Sequence, residues 1–161
     1  MTDLVSIITP MYNSEAFIEE TIQSVIHQSY EKWEMLIIDD GSIDNSINIV
    51  KGYVKRDRRI KLIEKEKNQG AAIARNIGIK ESIGRYIAFL DSDDLWVSTK
   101  LEDQIIFMTN NEAVLSYSSY EKIDEFGNHL KNVNIIKTKP TYHDLLKSNH
   151  IGCLTAMIDL K

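Results

Sequence analysis

Only one cysteine, Cys153, occurs in the 161 residues, so neither an intramolecular disulfide nor a zinc site built from cysteines can form. It stands in the apolar stretch 151–158, where a buried thiol is expected. No apolar run approaches the ~20 residues of a membrane-spanning helix. No basic leader precedes an apolar core at the N-terminus, because Pro10 cuts the first apolar run short. The expected location is cytoplasmic. Lys and Arg together number 19 against 24 Asp and Glu, a net charge of -5, which argues against a protein that coats nucleic acid. The stretch 51–67 is locally basic but is interrupted by Asp57, Glu64 and Glu66, and it reads as a solvated helix face and loop. Neither G-x-G-x-x-G nor G-x-x-x-x-G-K-[ST] is present, so dinucleotide and P-loop sites lack their phosphate-cradling glycines.

What is present is a hydrophobic fraction of 43%, enough for one domain that buries about 70% of its unfolded surface. Short apolar runs alternate with helical patterns. Strands are expected at 4–9, 35–38, 60–63 and 85–90, and helices at 14–28, 44–53 and 70–83, with Ser14 as a plausible N-cap. This order implies right-handed crossovers and a mainly parallel sheet with helices on both faces, an α/β fold. Beyond residue 100 the pattern gives a helix over 100–110, two strands over 114–123 and 129–136 joined by a turn at 125–128, a short helix over 141–147 and a last strand over 151–158.

Ligands of parallel sheets bind at the carboxyl ends of the strands, and the unusual polar clusters all follow strands. Asp91-Ser92-Asp93 places two carboxylates on a turn. Oxygen-only ligands suit a hard cation such as Mg²⁺ or Mn²⁺, although capping of the following helix is the competing reading, and Asp94 suits that role best. Asp40, in Asp39-Asp40-Gly41-Ser42, is placed to accept a hydrogen bond from a nucleobase N–H; an ordinary turn is the alternative. Tyr12, after Pro10, offers an aromatic face for stacking, or stands merely at a rim. Arg75, after Asn68-Gln69-Gly70, stands near a helix N-terminus that favours anions; a surface ion pair is the bland alternative.

Taken together, VSIITPMYNSEAFIEETIQSVIHQSYEKWEMLIIDDGSIDNS, NQGAAIARNIGIKESIGRYIAFLDSDDLW and TKLEDQ resemble glycosyltransferase family 2 over nearly the whole chain. The resemblance implies a GT-A type, Rossmann-like fold and inverting transfer of a sugar from a nucleotide-diphosphate donor, with UDP favoured over GDP and dTDP. It implies that Pro10, Tyr12 and Asp40 hold the base, with Glu15, Asn68, Arg75 and Ser92 near the nucleotide. Asp91 would lie near the ribose, and Asp93, with Asp91, would hold Mg²⁺ or Mn²⁺. Residues 1–100 would form the nucleotide-binding part and 101–161 the start of the acceptor side, in surface polysaccharide synthesis on a glycan or lipid-linked acceptor.

The family's catalytic base is expected beyond Lys161, so the domain is expected to be incomplete at its C-terminus. Peripheral membrane association through that absent region is the matching expectation. His143, Asp144 and His150 do not match the base's position and are expected at surface or helix-end positions. Two readings compete with active transfer: a non-catalytic donor-binding fragment, and a dehalogenase-like phosphatase with Asp91 as nucleophile and Asp93 as acid/base. A receiver-like module is disfavoured because its acidic pair follows the first strand, not the second.

Overall fold

The computed structural model describes residues 3–134, 141–147 and 151–161. Strands β1 (Val5–Met11) and β2 (Trp33–Asp39) are buried at every position. This is why they read as continuous apolar runs: a strand covered on both faces has no reason to alternate. Helices α1 (Ile18–Ile26), α2 (Ser46–Val54) and α3 (Ala71–Glu81) alternate with β1, β2, β3 (Ile60–Glu64) and β4 (Tyr86–Phe89). After them come α4 (Lys100–Asn111), β5 (Leu115–Ser116), β6 (Tyr120–Ile123), β7 (His129–Asn134), α5 (Tyr142–Lys147), a 3₁₀ turn (Cys153–Thr155) and β8 (Met157–Asp159).

The main sheet has six strands in the order β3-β2-β1-β4-β8-β5, with β1 to β4 parallel and β8 antiparallel to both of its neighbours. One core cluster joins Ile18, Ile22 and Val25 of α1, Val50 and Tyr53 of α2, and Leu101 and Met108 of α4 to one face of the sheet. On the other face α3 packs Ala74 against Ile8, Leu36, Ile38 and Ile87. The approach of α3 is close. A Cβ at Gly78 would lie 2.5 Å from Ile8 Cγ2 and 2.9 Å from Ile38 Cδ1, so glycine there sets the helix-to-sheet distance.

Several boundaries differ from expectation for physical reasons. β1 runs through Pro10 to Met11. Its pairing with β4 stops at Ile8, so proline removes no ladder donor on that side. Ser14 does not cap α1; its carbonyl accepts from Phe17 N–H at 3.0 Å and Ile18 N–H at 2.9 Å, and the helix begins four residues later than expected. The expected strand 114–123 divides between two sheets, β5 joining the main one and β6 pairing only with β7. The β6–β7 turn is as expected, closed by Gly127 N–H on the Asp124 carbonyl at 3.0 Å. Of the expected strand 151–158, only its end is extended; Gly152 and the 3₁₀ turn replace the rest. Residues 135 and 136 of the expected strand 129–136 lie outside the described residues. Among the described residues no helix is long and apolar enough to cross a membrane.

Candidate functional site

The parallel sheet delivers the ends of β1, β2 and β4 to one edge, and side-chain bonds lock the three loops together. Asn13, held at φ 48 in the left-handed region that asparagine tolerates, donates its N–H to Ser42 Oγ at 2.9 Å and accepts from Ile43 N–H at 2.9 Å. Ser14 N–H donates to Ser46 Oγ at 2.8 Å, and the hydroxyls of Ser14 and Ser92 lie 2.7 Å apart. Thr21 Oγ1 donates to the Ser92 carbonyl at 3.0 Å. Ser92, expected near the nucleotide, is thus buried and ties the acidic turn to α1.

Asp39 and Asp40 divide their work. The Asp39 carboxylate accepts the N–H groups of Gly41 and Ser42. This stabilises a turn that needs glycine, because Gly41 has φ +82 and a Cβ there would sit 3.1 Å from Asn68 N. The Asp40 carboxylate accepts from Lys65 Nζ, from Gln69 N–H at 3.1 Å and from Gly70 N–H at 2.7 Å. Burial pushes the Asp40 carboxyl up, but the bonds from Lys65, Gln69 and Gly70 outweigh it and hold the group below the usual carboxylate range. Lys65, read from sequence as part of a solvated basic stretch, is instead nearly buried and paired with Asp40.

Arg75 Nη2 donates to Asp91 Oδ1 at 2.5 Å. Pro10, Tyr12, Asp40, Asn68, Arg75, Asp91, Ser92 and Asp93 all line one cavity of about 400 Å³, together with Met11, Asn13, Ser14, Phe17, Gly70 and Ala71. The N-terminus of α3 opens into it through Gly70 and Ala71. Glu15 is the exception among the expected residues. Its N–H donates to Asp44 Oδ2 at 3.0 Å, and its carboxylate accepts from Asn45 N–H at 2.8 Å, outside the cavity lining. Sequence reasoning missed Lys65, Ser14 and Phe17. The serine pair and the lysine are local polar residues whose partners are distant in sequence, so only the pairing of loops reveals them.

The acidic turn does not cap a helix. α4 starts at Lys100 with Thr99 before it, six residues past Asp94, which corrects the capping expectation for Asp94. Burial, then the charges of Asp93 and Asp91, push the Asp94 carboxyl up to about 6. Three crowded carboxylates, of which Asp91 is paired with Arg75, concentrate negative charge at this turn. No cluster of three or more His, Cys, Asp or Glu suited to caging a metal occurs among the described residues. Asp93 and Asp91 could supply one or two oxygens to a cation whose remaining ligands are water and phosphate, a donor set that suits Mg²⁺ or Mn²⁺. Cys153 is half-buried rather than enclosed in apolar core. Burial raises its thiol pKa, Arg75 opposes this, and Asp91 and Asp94 add to the rise. Asp144 accepts from Thr141 N–H and Oγ1 at 2.8 Å, a helix-end role as expected. His143 is exposed, and His150 lies outside the described residues.

The sequence from residue 6 to 158 matches the profile described as Glycosyl transferase family 2. The chain belongs to glycosyltransferase family 2. That membership removes the phosphatase and receiver readings. Over 156 residues it is 46% identical to an Escherichia coli protein named UDP-Glc:alpha-D-GlcNAc-diphosphoundecaprenol beta-1,3-glucosyltransferase WfgD, covering 97% of this chain and 60% of that one. The chain spans about three fifths of the length of the curated relatives it matches (62%, 62% and 60%). Residues 1–349 of S. aureus TarS superpose with a TM-score of 0.75 at 27% identity, covering 96% of this chain and 46% of that one. The mannosyltransferase PcManGT of Pyrobaculum calidifontis, solved with GDP-Man and Mn²⁺, shares the fold at a TM-score of 0.68 and 18% identity, over 96% of this chain and 44% of that one. The mainly parallel sheet is the GT-A architecture.

Proposed function

We propose that this chain holds the donor-binding part of a transferase that moves a sugar from a UDP-sugar to an acceptor hydroxyl with inversion, aided by Mg²⁺ or Mn²⁺, in surface polysaccharide assembly. The observation that carries this reading is the convergence of Tyr12, Asp40, Arg75, Asp91 and Asp93 on one cavity. Tyr12 is 47% exposed, leaving its ring available to stack on a base. Lys65 and two backbone amides hold Asp40 in place, so a base N–H would meet an acceptor that is already oriented. Arg75 and the start of α3 give the diphosphate a positive border. A bound cation would neutralise charge on the departing diphosphate as a Lewis acid. Asp93 would hold it, with Asp91 beside it.

The relatives support the choice of UDP. TarS has been solved with UDP and with UDP-GlcNAc, the latter at a TM-score of 0.65 and 31% identity over 69% of this chain and 32% of that one. The Escherichia coli relative is named for a UDP-Glc donor and a diphosphoundecaprenol-linked acceptor, which favours a lipid-linked glycan as acceptor here. Residues 1–100 then serve the donor, and 101–161 begin the acceptor side. Inversion also needs a base for the acceptor proton.

Titration of UDP, GDP and dTDP with Mn²⁺ present tests the donor assignment. UDP is expected to bind most tightly, and a folded chain that binds none of the three contradicts it.

A further inference from the structure

A second cavity, of about 450 Å³, adjoins the first and shares Phe17 and Asp93 with it. That volume falls in the range of about 300–1,000 Å³ typical of small-molecule sites. One wall is α1 and the acidic turn, through Glu20, Thr21, Asp94 and Leu95. The opposite wall is the β6–β7 ribbon, through Tyr120, Ile123, Glu125 and Leu130. The ribbon is anchored rather than adrift. Gly152 sits so close to the Tyr120 ring that a Cβ would lie 3.2 Å from Tyr120 Cε1, and Trp96 Nε1 donates to the Leu154 carbonyl at 2.9 Å beside it. Asp124 accepts from Phe126 N–H and Asn128 N–H at 2.9 Å each, closing the turn.

We infer that this cavity receives the acceptor's sugar ring and admits an uncharged ring while rejecting an anionic one. This rests on the donor reading above, since Asp93 is the point where the two cavities meet. Phe17, Tyr120, Leu95 and Leu130 offer apolar and aromatic faces of the kind that pack on the C–H face of a pyranose. Glu20, Asp93, Asp94 and Glu125 bring carboxylates to the lining, against Lys122 alone among its lysines and arginines, while Glu121 faces His129 at 2.6 Å and Asp124 is spent on its own turn. Carboxylates accept hydrogen bonds from sugar hydroxyls, whereas a uronate or phosphate would meet like charge. Selection here is by repulsion as much as by attraction.

The test compares methyl glucoside with methyl glucuronide, which share a ring and differ in one carboxylate. Saturation-transfer NMR is run on the chain with UDP and Mg²⁺ present, and UDP signals are read in the same tube. The glucoside is expected to bind at least about tenfold more tightly than the glucuronide, and Glu20→Gln combined with Glu125→Gln is expected to narrow that gap to about threefold. Equal binding of the two glycosides, a preference for the glucuronide, or an unchanged gap in the double variant overturns the inference. UDP binding with no glycoside binding also overturns it and leaves the donor reading intact. Absence of UDP binding overturns the donor reading and the inference with it.

Discussion

The donor edge and the β6–β7 ribbon line neighbouring cavities by different means. At the donor edge, buried strands end in loops whose polar groups bond to one another across long sequence separations, as in Ser14 with Ser92 and Asp40 with Gly70. The ribbon has partly exposed apolar residues, Ile123 at 36% and Leu130 at 47%, and a tip residue, Phe126, at 80%. A site that recognises a fixed chemical group, a nucleotide diphosphate, benefits from preorganised donors and acceptors. A wall built from a two-stranded ribbon can change its side chains without disturbing the core, which suits the partner that varies.

The sharpest way to break the donor side is to push α3 away from the sheet. Gly78→Val forces side-chain atoms into Ile8 and Ile38, and a loss of about 3 kcal/mol in urea unfolding is expected. Asp40→Asn comes next. It strips Lys65 of its carboxylate and weakens the acceptor of two amides, so a loss of about 2 kcal/mol is expected at neutral pH. The pH dependence has a definite sign. The folded Asp40 carboxyl titrates below its unfolded value, so its contribution is present above about pH 4. The contribution is lost as pH falls through the folded value. The gap between wild type and Asp40→Asn in urea midpoints should therefore shrink in acid.

Arg75→Lys leaves a charge but removes the planar fork that reaches Asp91, and UDP affinity measured by calorimetry is expected to fall about tenfold. Lys100, buried with Nζ over the Trp96 ring at 3.6 Å, is a test on the structural side of α4. Burial pulls its ammonium pKa well down, so between the folded value and the unfolded value of about 10.4 the unfolded chain binds more protons. Lys100→Met is expected to stabilise the chain by about 1 kcal/mol at neutral pH, an advantage that diminishes as pH rises. Phe126→Ser at the ribbon tip should shift stability by less than about 0.5 kcal/mol and leave UDP affinity unchanged. A large effect there would erase the contrast between the two regions.

How legible each region was follows from the same contrast. β1, β2 and β4 stood out because strands covered on both faces are unbroken apolar runs, and parallel topology then dictated which ends meet. Tyr12, Asp40 and Asp93 were visible because each follows a strand, and Arg75 because it stands near the start of a helix. Lys65 was not, because a lysine inside a basic stretch gives no local sign that its partner lies 25 residues away. The length of β5 was also hidden. The run 114–123 has one composition, and only tertiary pairing divides it between two sheets. Glu15 shows the converse, a residue whose place in a motif suggested ligand contact but whose carboxylate is spent on Asn45 N–H.

The most direct test is a calorimetric titration of UDP into the chain with and without Mn²⁺, repeated with Asp93→Ala. Binding that strengthens with Mn²⁺ in the wild type, and loses that dependence in Asp93→Ala while the variant stays folded, is the expected result. Binding indifferent to both Mn²⁺ and Asp93 would contradict the claim that this acidic turn holds the cation for a nucleotide diphosphate.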